Sequence, residues 1–199
     1  MTLILASGSP RRAELLDRLG LAYSVAPGRV EEGEPCAPYQ EWVQELSRIK
    51  ALAAPAGKGD VVLAADTLVV LGNRVLGKPQ DAQEAAEMLA FLSGRVHQVM
   101  TGICVVDHSE NSGSGHVDVY QDVEVTSVFF RHLTSREIQA YVNSGEPLDK
   151  AGAYGIQGLG ALLVERIEGC YYNVVGLPLV KTMYLLRNCG IPVLGVSAG

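Results

Sequence analysis

The chain has 199 residues, 48% hydrophobic and 19% charged. That length suffices to bury roughly 70% of the surface an unfolded chain exposes, which excludes a disordered segment and removes any need for covalent staples. The 16 Lys and Arg against 22 Asp and Glu leave a formal net charge of −6, which excludes broad attraction to nucleic acid or an anionic membrane, so an anionic ligand needs a local basic site. Cys36, Cys104, Cys170 and Cys189 form no CxxC pair, which argues against a disulfide or zinc framework and for a reducing compartment.

Residues 1–6 are apolar, but this run is shorter than a signal-peptide core and basic residues follow it rather than precede it. No run approaches the ~18 apolar residues of a membrane span. The expectation is a cytoplasmic protein.

Residues 3–6 read as a short buried strand, after which Ser9 and Pro10 offer an N-cap and a first helical position. Leu15, Leu16 and Leu19 give that helix one apolar face, and Gly20 can end it. Trp42, Val43, Leu46 and Ile49 recur at helical spacing, predicting a helix over 39–54 with Lys50 near its end. Residues 61–71 are β-branched and aliphatic, and the Gly72-Asn73 turn before 74–76 predicts a hairpin.

Asp81 can cap a helix carrying Ala85, Met88, Leu89 and Leu92, followed by two long strands over 96–106 and 117–130 joined by a polar loop at 109–115. Thr134 and Glu137 have capping-box spacing before a helix that Gly145 can close. A glycine-rich segment at 152–160, a strand at 161–165 and a last helix from about Pro178 complete the chain. With no repeat and no long linker, these elements predict one mixed α/β domain over 1–199, with antiparallel pairing in the middle of the sheet.

Several clusters carry chemistry. Ser7, Gly8, Ser9, Pro10, Arg11 and Arg12 place small residues and two guanidinium groups where a strand meets a helix, which suits phosphate. The alternative there is an ordinary helix cap followed by two solvated arginines. Gly72 to Lys78 resembles a P-loop but continues into Pro79, where that motif needs a hydroxyl for Mg²⁺. Ser47 and Lys50 have SxxK spacing without the partner motifs of penicillin-binding enzymes. His97, His108, His116 and His132 contain no close metal-binding pair.

Asp66 lies inside an apolar run, where burial without a partner is costly, so it either pairs or works. Lys50, Lys78 and a metal ion are the partners that would give it a site role. Asp149 to Gly158 combines acid, base, ring, amide and glycines in the manner of a ligand loop. A surface turn with Asp149 and Lys150 paired is the alternative.

The stretches SGSPRR, AADT, GKP, SGRVHQVMTG, EPLDKAGAYGIQG and YYNVVGLP occur in this order over nearly the whole chain. Together they resemble the Maf-like nucleotide pyrophosphatases, and the Gly-Ile-Gln ending of the loop resembles the dTTP/UTP subgroup. The resemblance implies a mixed, largely antiparallel sheet flanked by helices, divided into two lobes around a central cleft, and a homodimer. It implies that Asp66 is the proton acceptor, that Arg11, Thr67 and Gln157 bear on substrate choice, and that Glu32, Lys50, Lys78, Asp149 and Lys150 surround the substrate.

The reaction so implied is attack of water on the α-phosphorus of dTTP or UTP, with modified pyrimidine nucleotides as further candidates, releasing the monophosphate and pyrophosphate. Asp66, Lys50 and Lys78 are the expected catalytic residues; Ser7, Ser9, Arg11, Arg12, Thr67, Asp149, Lys150 and Gln157 are expected to bind substrate. Asp66 and Glu32 are the expected ligands of Mg²⁺ or Mn²⁺. The expected partner is the nucleoside triphosphate alone, with no nucleic acid and no membrane. The rivals are a nucleotide-binding regulator of septum formation, and a phosphoryl transferase, which Pro79 weakens.

Overall fold

The computed structural model describes residues 2–108 and 117–193, so the polar loop expected at 109–115 lies outside the described residues. The strands are β1 (Leu3–Leu5), β2 (Tyr23–Val25), β3 (Val61–Leu71), β4 (Arg74–Leu76), β5 (Val96–Asp107), β6 (Asp118–Phe130) and β7 (Val164–Glu168). The helices are α1 (Pro10–Arg18), α2 (Tyr39–Leu52), α3 (Ala82–Leu92), α4 (Ser135–Asn143), α5 (Tyr171–Val175) and α6 (Leu179–Asn188). The seven strands form a mixed sheet in the order β2-β1-β3-β5-β6-β7, with β4 on β3. β1 is parallel to β2 and β3, whereas β3/β4 and β6/β7 are antiparallel.

The chain divides into two compact units, and β3, β5 and β6 each contribute to both. Unit 1 comprises Met1–Asp66, Thr101–Glu124 and Gly176–Gly199. Its core gathers Ile4, Ala6, Ala51, Ala54, Val62, Ala64, Cys104 and Val106, so apolar residues of β1, α2, β3 and β5 meet there. The helix α2 lies close on β5: a Cβ on Gly102 would sit 2.2 Å from the Val43 carbonyl oxygen, an approach only glycine permits. Gln121 adds a bond from its amide to the Gln44 carbonyl at 2.9 Å.

Unit 2 comprises Thr67–Met100 and Val125–Val175. Its core includes Leu76, Met88, Leu89, Leu92, Val128, Phe130, Ile138, Tyr141 and Tyr154. The local cap chemistry is present as expected. Asp81 accepts from the Glu84 amide at 2.8 Å, and Thr134 and Glu137 form a full capping box.

Four local expectations change. Ser9 stands at the N-cap of α1 without a side-chain cap bond; its amide donates instead to Ser7 Oγ at 3.3 Å. The last strand begins at Val164 rather than 161, because residues Gly158–Leu163 close into a 3-10 turn. Ile49, placed on the apolar face of α2 by periodicity, is exposed. The short elements β2 and α5 were not expected. Among the described residues, no helix is long and apolar enough to cross a membrane.

Candidate active site

In unit 1, Asp66 sits on β3 at 9% exposure and pairs rather than standing alone. Lys50, in the last turn of α2, donates from Nζ to Asp66 Oδ1 at 2.6 Å. The same Nζ lies 2.7 Å from Glu32 Oε1. The SxxK spacing has no separate meaning: Ser47 is fully buried and its hydroxyl donates to the Gln44 carbonyl at 2.7 Å, within its own helix.

Arg12 belongs to the same neighbourhood. Its Nη1 donates to Ser7 Oγ at 2.9 Å and its Nε to the Gly176 carbonyl at 2.9 Å. Burial pushes the guanidinium below its ordinary value; Asp66 and Glu32 oppose that shift, and Arg11 adds to it. Three cations, Arg11, Arg12 and Lys50, therefore share this region with two carboxylates, Glu32 and Asp66. An excess of positive charge on partly buried groups is suited to phosphate.

The donor set also fits a divalent cation of the Mg²⁺ type. Two carboxylates converge on one cationic position at Lys50 Nζ. Among the described residues no group of three or more His, Cys, Asp or Glu could hold a metal. One or two carboxylates are what Mg²⁺ uses when phosphate oxygens and water complete its coordination.

Ser9, at the N-cap of α1, also belongs to unit 1, and the other expected residues belong to unit 2. Thr67 follows Asp66 on β3 and is half-buried, and Lys78 is exposed just beyond β4. Lys150 Nζ donates to the Glu146 carbonyl at 2.5 Å and to Asp149 Oδ1 at 2.6 Å, so the Asp149–Lys150 pairing anticipated for a surface turn is present. Gln157 is half-buried and, as the N-cap of the segment Gly158–Leu163, makes no side-chain cap bond.

Sequence reasoning missed Glu146, although it opens the EPLDK stretch. Its carboxylate accepts from Tyr141 Oη, the Leu159 amide and the Gly160 amide, each at 3.0 Å. It passed over Asn173 as well, a fully buried amide that donates to the Val99 carbonyl and to Thr126 Oγ1, both at 2.9 Å. The only sequence signal for either was a polar residue within a run that otherwise carries ligand-loop or family character.

The comparisons with known proteins bear on the family of the whole chain. The profile of the family described as Maf-like protein matches residues 2–189. A dTTP/UTP pyrophosphatase of Moorella thermoacetica is 54% identical over 97% of each chain. One from Anaeromyxobacter dehalogenans (strain 2CP-C) is 51% identical over 96% of this chain and 95% of its own, and one from Escherichia coli (strain K12) is 50% identical over 94% and 92%. A profile spanning nearly the whole chain, with relatives this similar from end to end, places the chain in the Maf-like family.

Proposed function

We propose that this protein is a nucleoside triphosphate pyrophosphatase that hydrolyses dTTP and UTP, and modified pyrimidine nucleotides of the same shape, to the monophosphate and pyrophosphate. The observation that carries the proposal is the Glu32–Lys50–Asp66 constellation, with its ammonium held 2.6 and 2.7 Å from the two carboxylates. It occurs in a chain whose relatives carry that name.

In the proposed step, the water oxygen forms a bond to the α-phosphorus as the bond to the bridging oxygen of pyrophosphate breaks. The water's proton passes to Asp66. Arg11, Arg12 and Lys50 neutralise the phosphate oxygens, and Ser7 fixes the Arg12 fork so that little reorganisation is needed as charge develops. Ser9 contributes a hydroxyl at the start of α1. A divalent cation, Mg²⁺ or Mn²⁺, would be held by Asp66 and Glu32 and would supply further charge neutralisation.

In unit 2, Lys78, Asp149 and Lys150 are assigned to the polyphosphate and its counter-charge, and Thr67 and Gln157 to the choice of base. We further propose a cytoplasmic homodimer, and the net charge of −6 supports the absence of nucleic-acid and membrane partners.

Incubating the purified protein with a panel of nucleoside triphosphates and Mg²⁺ or Mn²⁺ tests the function. Pyrophosphate and monophosphate from UTP and dTTP are expected. Binding without product, or a phosphate transferred to an acceptor, would contradict it.

A further inference from the structure

Glu146 has no part in the reaction proposed above, yet it accepts more hydrogen bonds than its place in a surface turn requires. Its Oε1 accepts from Tyr141 Oη and the Gly160 amide, and its Oε2 from the Leu159 amide, each at 3.0 Å. The Tyr141 hydroxyl in turn accepts from the Gly155 amide at 3.2 Å. Leu159 and Gly160 lie in the first turn of the 3-10 segment Gly158–Leu163. Amides at the start of such a turn have no carbonyl partner within it, and here one carboxylate serves both.

The residue these bonds surround is Gln157. The backbone is held at Gly155, two positions before it, and at Leu159 and Gly160, two and three positions after it. The two flanks also touch: a Cβ on Gly160 would stand 2.1 Å from the Gly155 carbonyl oxygen and 2.6 Å from Tyr141 Oη. Gln157 itself, the N-cap of the turn, makes no side-chain cap bond. The loop is therefore fastened on both sides of a side-chain amide that does not cap its own turn.

We propose that Glu146 is a specificity-determining positioning residue, whose carboxylate locks the backbone on both sides of Gln157 so that the amide meets the pyrimidine edge in one orientation. This role rests on the assignment of Gln157 to base choice made above. Charge and geometry both matter. Glu146→Gln keeps the size and one acceptor oxygen, but it turns an NH₂ group toward at least one of the two backbone amides, which then loses its acceptor. The loop can still form, yet Gln157 is no longer held in register, and preorganisation is what such a site loses first.

The test uses the full-length protein and kcat/KM for UTP, dTTP and CTP in the parent, Glu146→Gln, Gln157→Glu and the double variant, with amide hydrogen exchange over residues 155–160. In Glu146→Gln the UTP-to-CTP ratio should fall about tenfold, as expected for a lost charged hydrogen bond. The loss should lie more in KM than in kcat, with faster exchange at Leu159 and Gly160. The double variant should be no less selective than Gln157→Glu, because both changes disable one reader.

Tyr141→Phe provides a second route should Glu146→Gln fold poorly. It removes only the hydroxyl shared by Gly155 and Glu146, and should lower the same ratio by a smaller factor. An unchanged ratio in a folded Glu146→Gln or in Tyr141→Phe, or equal losses on all three nucleotides, would overturn the positioning role alone. A parent that hydrolyses no pyrimidine triphosphate would overturn the functional reading and this role with it.

Discussion

The Lys50 cluster of unit 1 and the Gln157 loop of unit 2 are prepared in different ways. In unit 1 the groups assigned to chemistry are bonded to one another: Lys50 to Asp66 and Glu32, Arg12 to Ser7. In unit 2 Lys150 is likewise bonded to Asp149, but around Gln157 the bonds belong to the scaffold, through Tyr141, Glu146 and the backbone of the glycine-rich loop. Among the described residues, the side chains of Gln157 and Lys78 take no part in that network. The difference teaches that charged groups needing a fixed field are preorganised by pairing, whereas a group that must exchange bonds with a ligand is preorganised through the backbone that carries it.

The comparison can be broken most sharply at Asp66. Asp66→Asn preserves shape and should lower kcat by about 10²–10⁴-fold, the usual range for loss of a positioned proton acceptor. The fold should survive, because Glu32 still faces Lys50. Steady-state kinetics and a thermal melt decide this, and activity within a few fold of the parent would remove Asp66 from the centre of the account.

Next in size is an acid effect in unit 2. His97 is 1% exposed, with Nε2 lying 2.8 Å from Tyr154 Oη, and burial lowers its pKa to about 4. A folded-state value below the unfolded 6.5 means that the unfolded chain takes up the proton first. Stability should therefore be intact above about pH 6.5 and fall as pH drops toward 4, by up to about 3 kcal/mol. Denaturant melts of the parent and His97→Gln across this window check it; equal slopes against pH would contradict it.

Lys78→Ala sharpens the same comparison at an exposed cation. If Lys78 meets a phosphate only when substrate binds, its loss should cost about 1.5–3 kcal/mol in kcat/KM and almost nothing in stability. Normal kinetics would make it a solvated lysine after a hairpin.

Gln157→Glu should have the smallest total effect, about 1–3 kcal/mol, confined to base choice. Uracil and thymine present a carbonyl beside an N3–H, which one amide can satisfy, and cytosine reverses that pattern. The UTP and dTTP preference over CTP should shrink while triphosphate affinity changes little. Equal losses on all three nucleotides would show that Gln157 supports the loop without reading the base.

Elements with local chemistry were legible in the sequence. The Asp81 cap of α3 and the Thr134–Glu137 box of α4 involve residues three positions apart, so spacing alone announces them. The strand β7 was placed three residues early because Ala161, Leu162 and Leu163 look strand-like, although their backbone is committed to a turn and only from Val164 pairs with β6. The strand β2 exists through its parallel pairing with β1, and no periodicity in three residues could reveal it.

The site divides in the same way. Burial cost within β3 marked Asp66 as a residue that either pairs or works, and in the structure its bonded cation is Lys50. The strand-to-helix junction marked Ser7, Ser9, Arg11 and Arg12, and the family resemblance supplied Glu32 and Thr67, but neither could show that the Ser7 hydroxyl is engaged by Arg12. Glu146 was invisible because its donors lie at Tyr141, Leu159 and Gly160, and only the folded loop brings them to one carboxylate.

The most direct measurement is hydrolysis of UTP by the parent protein in water enriched in oxygen-18, followed by phosphorus NMR of the products. Attack on the α-phosphorus predicts the label in the monophosphate and none in pyrophosphate, with the Asp66→Asn variant forming neither product at a comparable rate. Label in pyrophosphate, or release of orthophosphate in place of pyrophosphate, would contradict the reaction assigned to this protein.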